Sequence, residues 1–219
     1  MQADGVKLEH RMILTLVQPG SSVLDLGCGD GELLSLLSRE RKARVRGIEI
    51  DEQAIYKCVA KGLSVVHGDI DTGLSDYGDR FFDYVIFDQS LEEVRNPDRV
   101  INEALRVGRN VIVAFPNFAH YSARLRIFFF GRTPITRSLP YEWHDTPNLH
   151  FLSILDFINY CWIRNIIIKN SVFIGSERIV KTLPNLRAEV GIFLITKPEG
   201  KIEQGRHLNF RDRRFGHTE

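Results

Sequence analysis

Cysteine is scarce in this sequence. Only Cys28, Cys58 and Cys161 occur in 219 residues, too few and too scattered for a disulfide framework or a four-thiolate zinc site. Such usage fits a reducing compartment. Long hydrophobic runs are missing too. The longest apolar stretch near the start, Met12 to Val17, is interrupted by Thr15 and preceded by His10 and Arg11. It is too short for a secretory core and far short of the ~20 residues that span a bilayer. Neither sign of charge is in excess: 29 Lys and Arg face 28 Asp and Glu, a net +1. That balance argues against a broad basic nucleic-acid face and gives no push toward a membrane surface. Internal repeats and low-complexity tracts are also absent. A cytoplasmic protein with no membrane or nucleic-acid partner is expected. Its 43% apolar residues are enough for the core of one domain.

What is present alternates. Ser22–Leu26 is a short apolar run closed by glycines and predicts a first strand. Glu32–Arg39, with Leu33, Leu34, Leu36 and Leu37 on one broad side, predicts a helix. Val45–Ile50 is a second strand, Glu52–Lys61 a second helix ended by Gly62, and Leu63–His67 a third strand. Phe82–Phe87 is a fourth strand, Pro97–Val107 a helix with proline at its tolerant start, and Asn110–Phe115 a fifth strand. Strands and helices alternating at this spacing imply βαβ units and a mostly parallel sheet. The pattern breaks at Pro116, and four of the eight prolines lie between there and Pro147. A buried helix over 150–162 and two strands, 165–174 and 190–196, follow. The stretch from Lys197 is polar and reads as a loosely held end.

The first strand runs into Asp25-Leu26-Gly27-Cys28-Gly29-Asp30-Gly31. Glycines at alternate positions remove side chains where a ligand approaches the backbone. A dinucleotide fingerprint needs a small residue where this chain has Glu32, and a P-loop needs a Gly-Lys-Ser/Thr that is absent. Asp25 has no place in a pyrophosphate cradle; a carboxylate there suits a ligand carrying an amino group and a sulfonium. Glu49, followed by Ile50 at the end of the second strand, can accept both hydroxyls of a ribose. Asp69 follows the third strand and can accept from an adenine amino group, with Ile70 against the ring. Each acid alone has a bland reading as a cap, a surface charge or a turn residue; in this order, each at a strand end, they favour a site. Cys28 reads as a small side chain tolerated in a tight turn, because no histidine or second cysteine is near it in sequence.

These residues resemble the S-adenosylmethionine site of class I methyltransferases over residues ~20 to 115. The second half narrows the resemblance. Phe115-Pro116-Asn117-Phe118, Gly131-Arg132-Thr133-Pro134, the run from Leu139 to His150, and Arg106-Val107-Gly108-Arg109 are similar to the MetW family of methionine-biosynthesis proteins. The resemblance implies an α/β fold: the Rossmann-like three-layer sandwich of class I methyltransferases, with a mostly parallel sheet and an antiparallel last strand. It implies one such domain over 1–199, an aromatic and proline-rich insertion at about 116–149, and a polar tail over 200–219. S-adenosylmethionine or S-adenosylhomocysteine is the implied cofactor, held by Asp25, Leu26, Gly27, Cys28, Gly29, Gly31, Glu49, Ile50, Asp69, Ile70 and Asp88. The implied partner is homoserine O-acetyltransferase.

Methyl transfer from a sulfonium needs mainly positioning and exclusion of water. Asp88 and Gln89 are expected to flank the methyl group, with Tyr141 and His144 reaching it from the insertion; these four are the candidate catalytic residues. The Asp/Asn-Pro-Pro-aromatic signature of many amino-group methyltransferases is missing after the fourth strand. Residues 115–151 hold nine of the 22 aromatics and three of the seven histidines. Arg124, Arg126 and Arg132 bracket Ile127–Phe130, which suits a substrate lid, a docking patch or a local core. His120, His144 and His150 have no metal-ligand spacing, and no metal is expected. Two functions are therefore expected in the alternative: a cofactor-binding activator of the acyltransferase, or an active methyltransferase on a small-molecule acceptor. An RNA-modifying enzyme is disfavoured by the charge balance.

Overall fold

A computed structural model describes residues 6–198. The 200–219 tail lies outside the described residues. In chain order the elements are α1 (Leu8–Leu16), β1 (Ser22–Leu26), α2 (Glu32–Arg41), β2 (Arg44–Glu49), α3 (Glu52–Ala60), β3 (Val65–His67), β4 (Phe82–Asp88), α4 (Pro97–Val107), β5 (Gly108–Pro116), α5 (Tyr121–Phe130), α6 (Ile154–Ile163), β6 (Ile167–Gly175), β7 (Arg178–Ile179), α7 (Pro184–Arg187) and β8 (Val190–Thr196). Short 3₁₀ turns occupy Ile70–Thr72 and Leu91–Glu93.

The strands form one sheet in the order β3-β2-β1-β4-β5-β8-β6-β7. From β3 to β5 all neighbours are parallel, whereas β8 runs antiparallel to both β5 and β6. The expected topology, mostly parallel with an antiparallel last strand, is the one observed. Strand order reverses between β1 and β4, because β1 leads outward to β2 and β3 while β4 begins the other half. In open α/β sheets ligands collect outside the carboxyl ends of strands at such a switch point.

Both faces of the sheet are covered, which explains the near-continuous apolar strands. Leu24, Leu26, Val85, Phe87, Val111, Val113 and Phe115 point toward α4 and α6. Val23, Tyr84, Ile86, Ile112 and Ala114 point the other way, toward α1 and α2. Alternate residues thus serve alternate layers. The α6 side is centred on three aromatics: Phe157 lies 5.2 Å from Phe115 and 4.9 Å from Phe193, ring centre to ring centre.

Four differences from the sequence reading stand out. α1 was not anticipated; its buried residues are Glu9, His10, Ile13 and Leu14, so two polar side chains interrupt the apolar stripe. α5 was not anticipated either, because only Ala123 of its ten residues is buried. α6 starts at Ile154 rather than at 150, where a reciprocal cap between Ser153 and Asp156 fixes its first turn. It is buried on one side only: Ile154, Phe157 and Cys161 face the core, while Trp162 and Ile163 are exposed. The connection before β8 contains β7 and α7 as well as polar coil.

Phe157→Ala empties a fully buried aromatic site. It is expected to cost about 3–5 kcal/mol of stability, read by urea unfolding; a loss below about 1 kcal/mol would show that this aromatic centre is not a packed core.

Candidate functional site

β1 ends in a turn that carries the chain into α2. Gly27, Gly29 and Gly31 all have positive φ, at +74°, +53° and +77°. Their surroundings differ. A Cβ on Gly27 would lie 2.7 Å from Ser90 Cβ, so the residue permits β1 and the segment after β4 to approach closely. Among the described residues nothing lies within 4 Å of a Cβ on Gly29, so this side of the turn is open. The sequence reading assigned all three glycines to a ligand; Gly27 and Gly31 serve the protein's own packing as well.

Beside this turn lies a cleft of about 380 Å³, lined among others by Gly27, Gly29, Glu49, Ile50, Asp69 and Ile70. Its size falls within the range of small-molecule sites. The opposite wall carries Gln89, Ser90 and Glu93. The walls are tied together. Ser90 Oγ donates to the Leu26 carbonyl at 2.5 Å. Asp71 accepts from the backbone N–H of Arg95 and of Asn96 at 2.8 and 3.1 Å.

Glu49 stands at the tip of β2 with its carboxylate turned into the glycine turn. Oε2 accepts from Gly29 N–H at 2.7 Å, and Oε1 accepts from Ile50 and Asp51 N–H at 2.8 and 2.9 Å. A carboxylate offers about four lone-pair directions, so a ribose diol would compete with the Gly29 contact. Asp69 uses Oδ1 to accept from Asp71 N–H at 2.8 Å, which starts the 3₁₀ turn bearing Ile70. Ile50 is 61% exposed at the cleft rim, an apolar surface for a flat ring.

The two cysteines near the turn meet in space although they are distant in sequence. Cys58 Sγ donates to the Gly29 carbonyl at 3.2 Å and lies in hydrogen-bonding contact with Cys28. Burial, followed by the charge of Asp25, pushes the Cys28 thiol up, so it stays protonated and behaves as a small apolar filler.

Behind the turn lies a group of acids that only the fold brings together. Asp25 is 1% exposed, and its Oδ1 has no hydrogen-bond partner among the described residues. Asp88, at the end of β4, places Oδ2 2.9 Å from His10 Nε2. Gln89 follows with φ +56°, a left-handed backbone in a non-glycine residue, and its Nε2 donates to Glu9 Oε2 at 2.6 Å. Such strain persists where the surroundings over-determine it, commonly at functional sites. Glu9 and His10 escaped the sequence reading. Their signal was the break they made in the apolar stripe of α1.

Burial, then the charges of Asp88 and Glu49, hold Asp25 well above the usual carboxylate range. Burial, then Asp88, does the same to Glu9. Glu92, in the 3₁₀ turn after β4, is pushed up to about 8, chiefly by burial and then by Glu93 and Asp88. Its backbone carbonyl accepts from the N–H groups of Leu149 and His150 at 2.9 and 3.0 Å, strapping the segment before α6 to the site.

Tyr141 and His144 do not line the cleft. Tyr141 borders a separate pocket of about 10 Å³ with Trp143, Pro134 and Phe151, room for at most one water. His144 Nδ1 lies 3.6 Å from Glu142 on the surface. Phe128, Phe129 and Phe130 are 80%, 67% and 73% exposed. Among the described residues, no cluster of His, Cys, Asp and Glu has metal-binding geometry. No helix there is long and apolar enough to cross a membrane.

The family described as methionine biosynthesis protein MetW matches residues 7–195. A bifunctional methionine biosynthesis protein MetXA/MetW of Rhodopirellula baltica is 33% identical over 200 residues, covering 85% of this chain and 32% of the relative. The chain thus spans about a third or less of the length of the curated relatives it matches. Among solved structures, a SAM-dependent methyltransferase from Archaeoglobus fulgidus superimposes with a TM-score of 0.66 at 15% identity, over 86% of this chain and 91% of its own. The [4+2]-cyclase SpnF does so with a TM-score of 0.63 at 16% identity, over 91% and 86%. The fold is that of class I methyltransferases.

An acid held protonated by the folded state makes the native protein bind protons that the unfolded chain releases, so stability falls as pH rises toward the folded pKa. For Glu92 the window runs from 4.5 to about 8. Glu92→Gln is therefore expected to raise stability at pH 8 by about 1–3 kcal/mol and to flatten its fall between pH 5 and 8 in thermal melts, and Asp25→Asn is expected to act in the same direction. Unchanged slopes would show that these carboxyls are not buried as described.

Proposed function

The chain belongs to the MetW family of methionine-biosynthesis proteins, and from that premise we propose that it binds S-adenosylmethionine or S-adenosylhomocysteine in the cleft and acts on homoserine O-acetyltransferase as a partner and activator. Fit to the cofactor rests on this chain's own atoms. Gly29 leaves open space at the turn, Glu49 and Asp69 stand at the two strand ends that flank the cleft, and Ile50 and Ile70 offer apolar surface for a purine. Among the described residues, Asp25 and Asp88 each keep a buried oxygen without a partner behind the turn, which suits a positively charged group. When bound, S-adenosylmethionine supplies an electrophilic methyl group on a sulfonium. The residues of this chain hold the adenosine, screen it from water and orient the charged end.

The observation that carries the partner reading is the surface of α5. Three consecutive phenylalanines stand two-thirds exposed or more on a helix that buries a single residue. Among the described residues little packing stabilises this helix, and exposed aromatics of this kind suit a contact with another molecule. The relative that joins MetXA and MetW in one polypeptide supports the choice of partner. The second reading, an active methyltransferase on a small acceptor, is favoured by the left-handed Gln89 at the cleft wall. Tyr141 and His144 do not support it, because neither lines the cleft.

A Cβ at Gly29 meets no protein atom within 4 Å, and Gly29→Val places its side chain into that open space at positive φ. It is expected to fold with a loss of about 1–3 kcal/mol and to lose calorimetric binding of S-adenosylmethionine. Binding at wild-type affinity would remove the cleft as the cofactor site. The double variant Phe128→Asp/Phe129→Asp is expected to keep its melting temperature and its cofactor affinity while losing co-purification with homoserine O-acetyltransferase and any change in that enzyme's rate. A rate unaffected by the wild-type protein at saturation would overturn the partner reading.

A further inference from the structure

The cleft wall that follows β4 is one stretch of chain, and it is fastened at both ends. At its start Ser90 Oγ donates to the Leu26 carbonyl at 2.5 Å. At its far end the backbone N–H groups of Arg95 and Asn96 donate to Oδ2 and Oδ1 of Asp71 at 2.8 and 3.1 Å. Between these ties Gln89, Ser90, Glu93, Val94 and Arg95 line the open space. The second tie is not a local one. Asn96, at the start of α4, makes no side-chain cap, and Pro97 after it has no N–H. The carboxylate that satisfies the amides ahead of this helix comes instead from 24 and 25 residues away, on the loop after β3.

Asp71 is also fixed on its own side. Its N–H donates to Asp69 Oδ1 at 2.8 Å, within the 3₁₀ turn Ile70–Thr72. Thr72 Oγ1 donates to the Asp69 carbonyl at 2.7 Å, and Gly73 N–H donates to the Ile70 carbonyl at 3.1 Å. One residue therefore holds the approach to α4 with its carboxylate and Asp69 with its amide. Ile70 belongs to the turn and Val94 to the opposite stretch, and both line the cleft. The two pieces of chain that would border a purine are thus joined through Asp71. Both of its oxygens are engaged by backbone amides, so it acts through its neighbours rather than on the ligand.

We propose that Asp71 is a positioning residue for base selection: by tying the turn that bears Asp69 and Ile70 to the segment before α4, it makes the cleft take a 6-aminopurine and reject a 6-oxopurine. This deepens the cofactor reading above and rests on it. A carboxylate held beside the purine 6-position accepts from the amino group of adenine. Hypoxanthine presents a carbonyl oxygen there, and two acceptors face each other with no proton between them. Rejection of this kind lasts only while the wall is held still. A turn free to shift reaches the N1–H of hypoxanthine instead and recovers a hydrogen bond; a turn fixed from both sides does not. Selectivity therefore depends on the residue that locks the recognising group as well as on the group itself.

The test is calorimetry on the full chain with S-adenosylhomocysteine and S-inosylhomocysteine, which differ in the purine alone. The wild-type protein is expected to prefer the adenosyl ligand by roughly tenfold or more. Asp71→Ala should bind both, with the preference cut to about threefold or less. Asp71→Asn keeps an acceptor for one of the two amides and should recover part of it. A general loss of stability weakens both ligands together, so the ratio reports positioning alone. An unchanged ratio in Asp71→Ala, or equal binding of both ligands by the wild-type protein, overturns the role of Asp71 while the cofactor site stands. Should neither ligand bind, the cofactor reading itself falls and takes this one with it. Hydrogen exchange on the wild-type protein decides the matter even if Asp71→Ala does not fold. At equal occupancy the Arg95 and Asn96 amides should gain more protection from S-adenosylhomocysteine than from S-inosylhomocysteine; an equal gain, or none, would overturn the proposal.

Discussion

The mutual repulsion of buried carboxyls behind the β1–α2 turn is the constraint around which this structure is organised. Asp25 is almost fully enclosed, Asp88 stands at the end of the neighbouring strand β4, and the charge of Asp88 acts on both Asp25 and Glu9. Burying like charges together is unfavourable unless they share protons or meet a cation. Burial holds the Asp25 and Glu9 carboxyls well above the usual range, and Gln89, which lines the cleft, donates its side-chain amide to Glu9. Stability and binding are therefore opposed at this site, the usual relation between a functional centre and the fold that carries it.

The sheet supplies the geometry for this opposition. Strand order reverses between β1 and β4, so the two strand ends diverge and leave a crevice. Close contact is kept where it is needed, with Gly27 against Ser90 and the Ser90 hydroxyl on the Leu26 carbonyl. Arg106 serves the outer edge in a comparable way: it donates to the carbonyls of Leu74 and Tyr77 and fixes the loop that leads into β4. That arginine belongs to the segment whose likeness to the family was visible in the sequence.

Legibility followed the physics of each element. Strands β1, β4 and β5 and helix α4 were readable because burial on both faces of a parallel sheet demands unbroken apolar runs, and because Pro97 and Gly108 punctuate α4 at positions that suit their backbones. The acids at strand ends were readable as an ordered set. α1 was not, because Glu9 and His10 occupy its buried face for the sake of the site and spoil the helical period. α5 was not, because its phenylalanines face outward, so that no apolar stripe repeats along it. The contact between Cys28 and Cys58 was hidden by 30 residues of separation and appears only when α3 packs beside the turn. In each of the three misses a local rule gave way to something the fold brings from elsewhere.

The central claim is that the turn after β1 and the acids behind it hold an adenosyl cation. Native mass spectrometry of the full chain, titrated with S-adenosylmethionine, tests it most directly. The account requires a single one-to-one adduct that appears at stoichiometric addition and is displaced by no simple nucleoside lacking the charged methionyl end. An apo mass that persists under excess ligand, or an adduct that adenosine removes equally well, would contradict it.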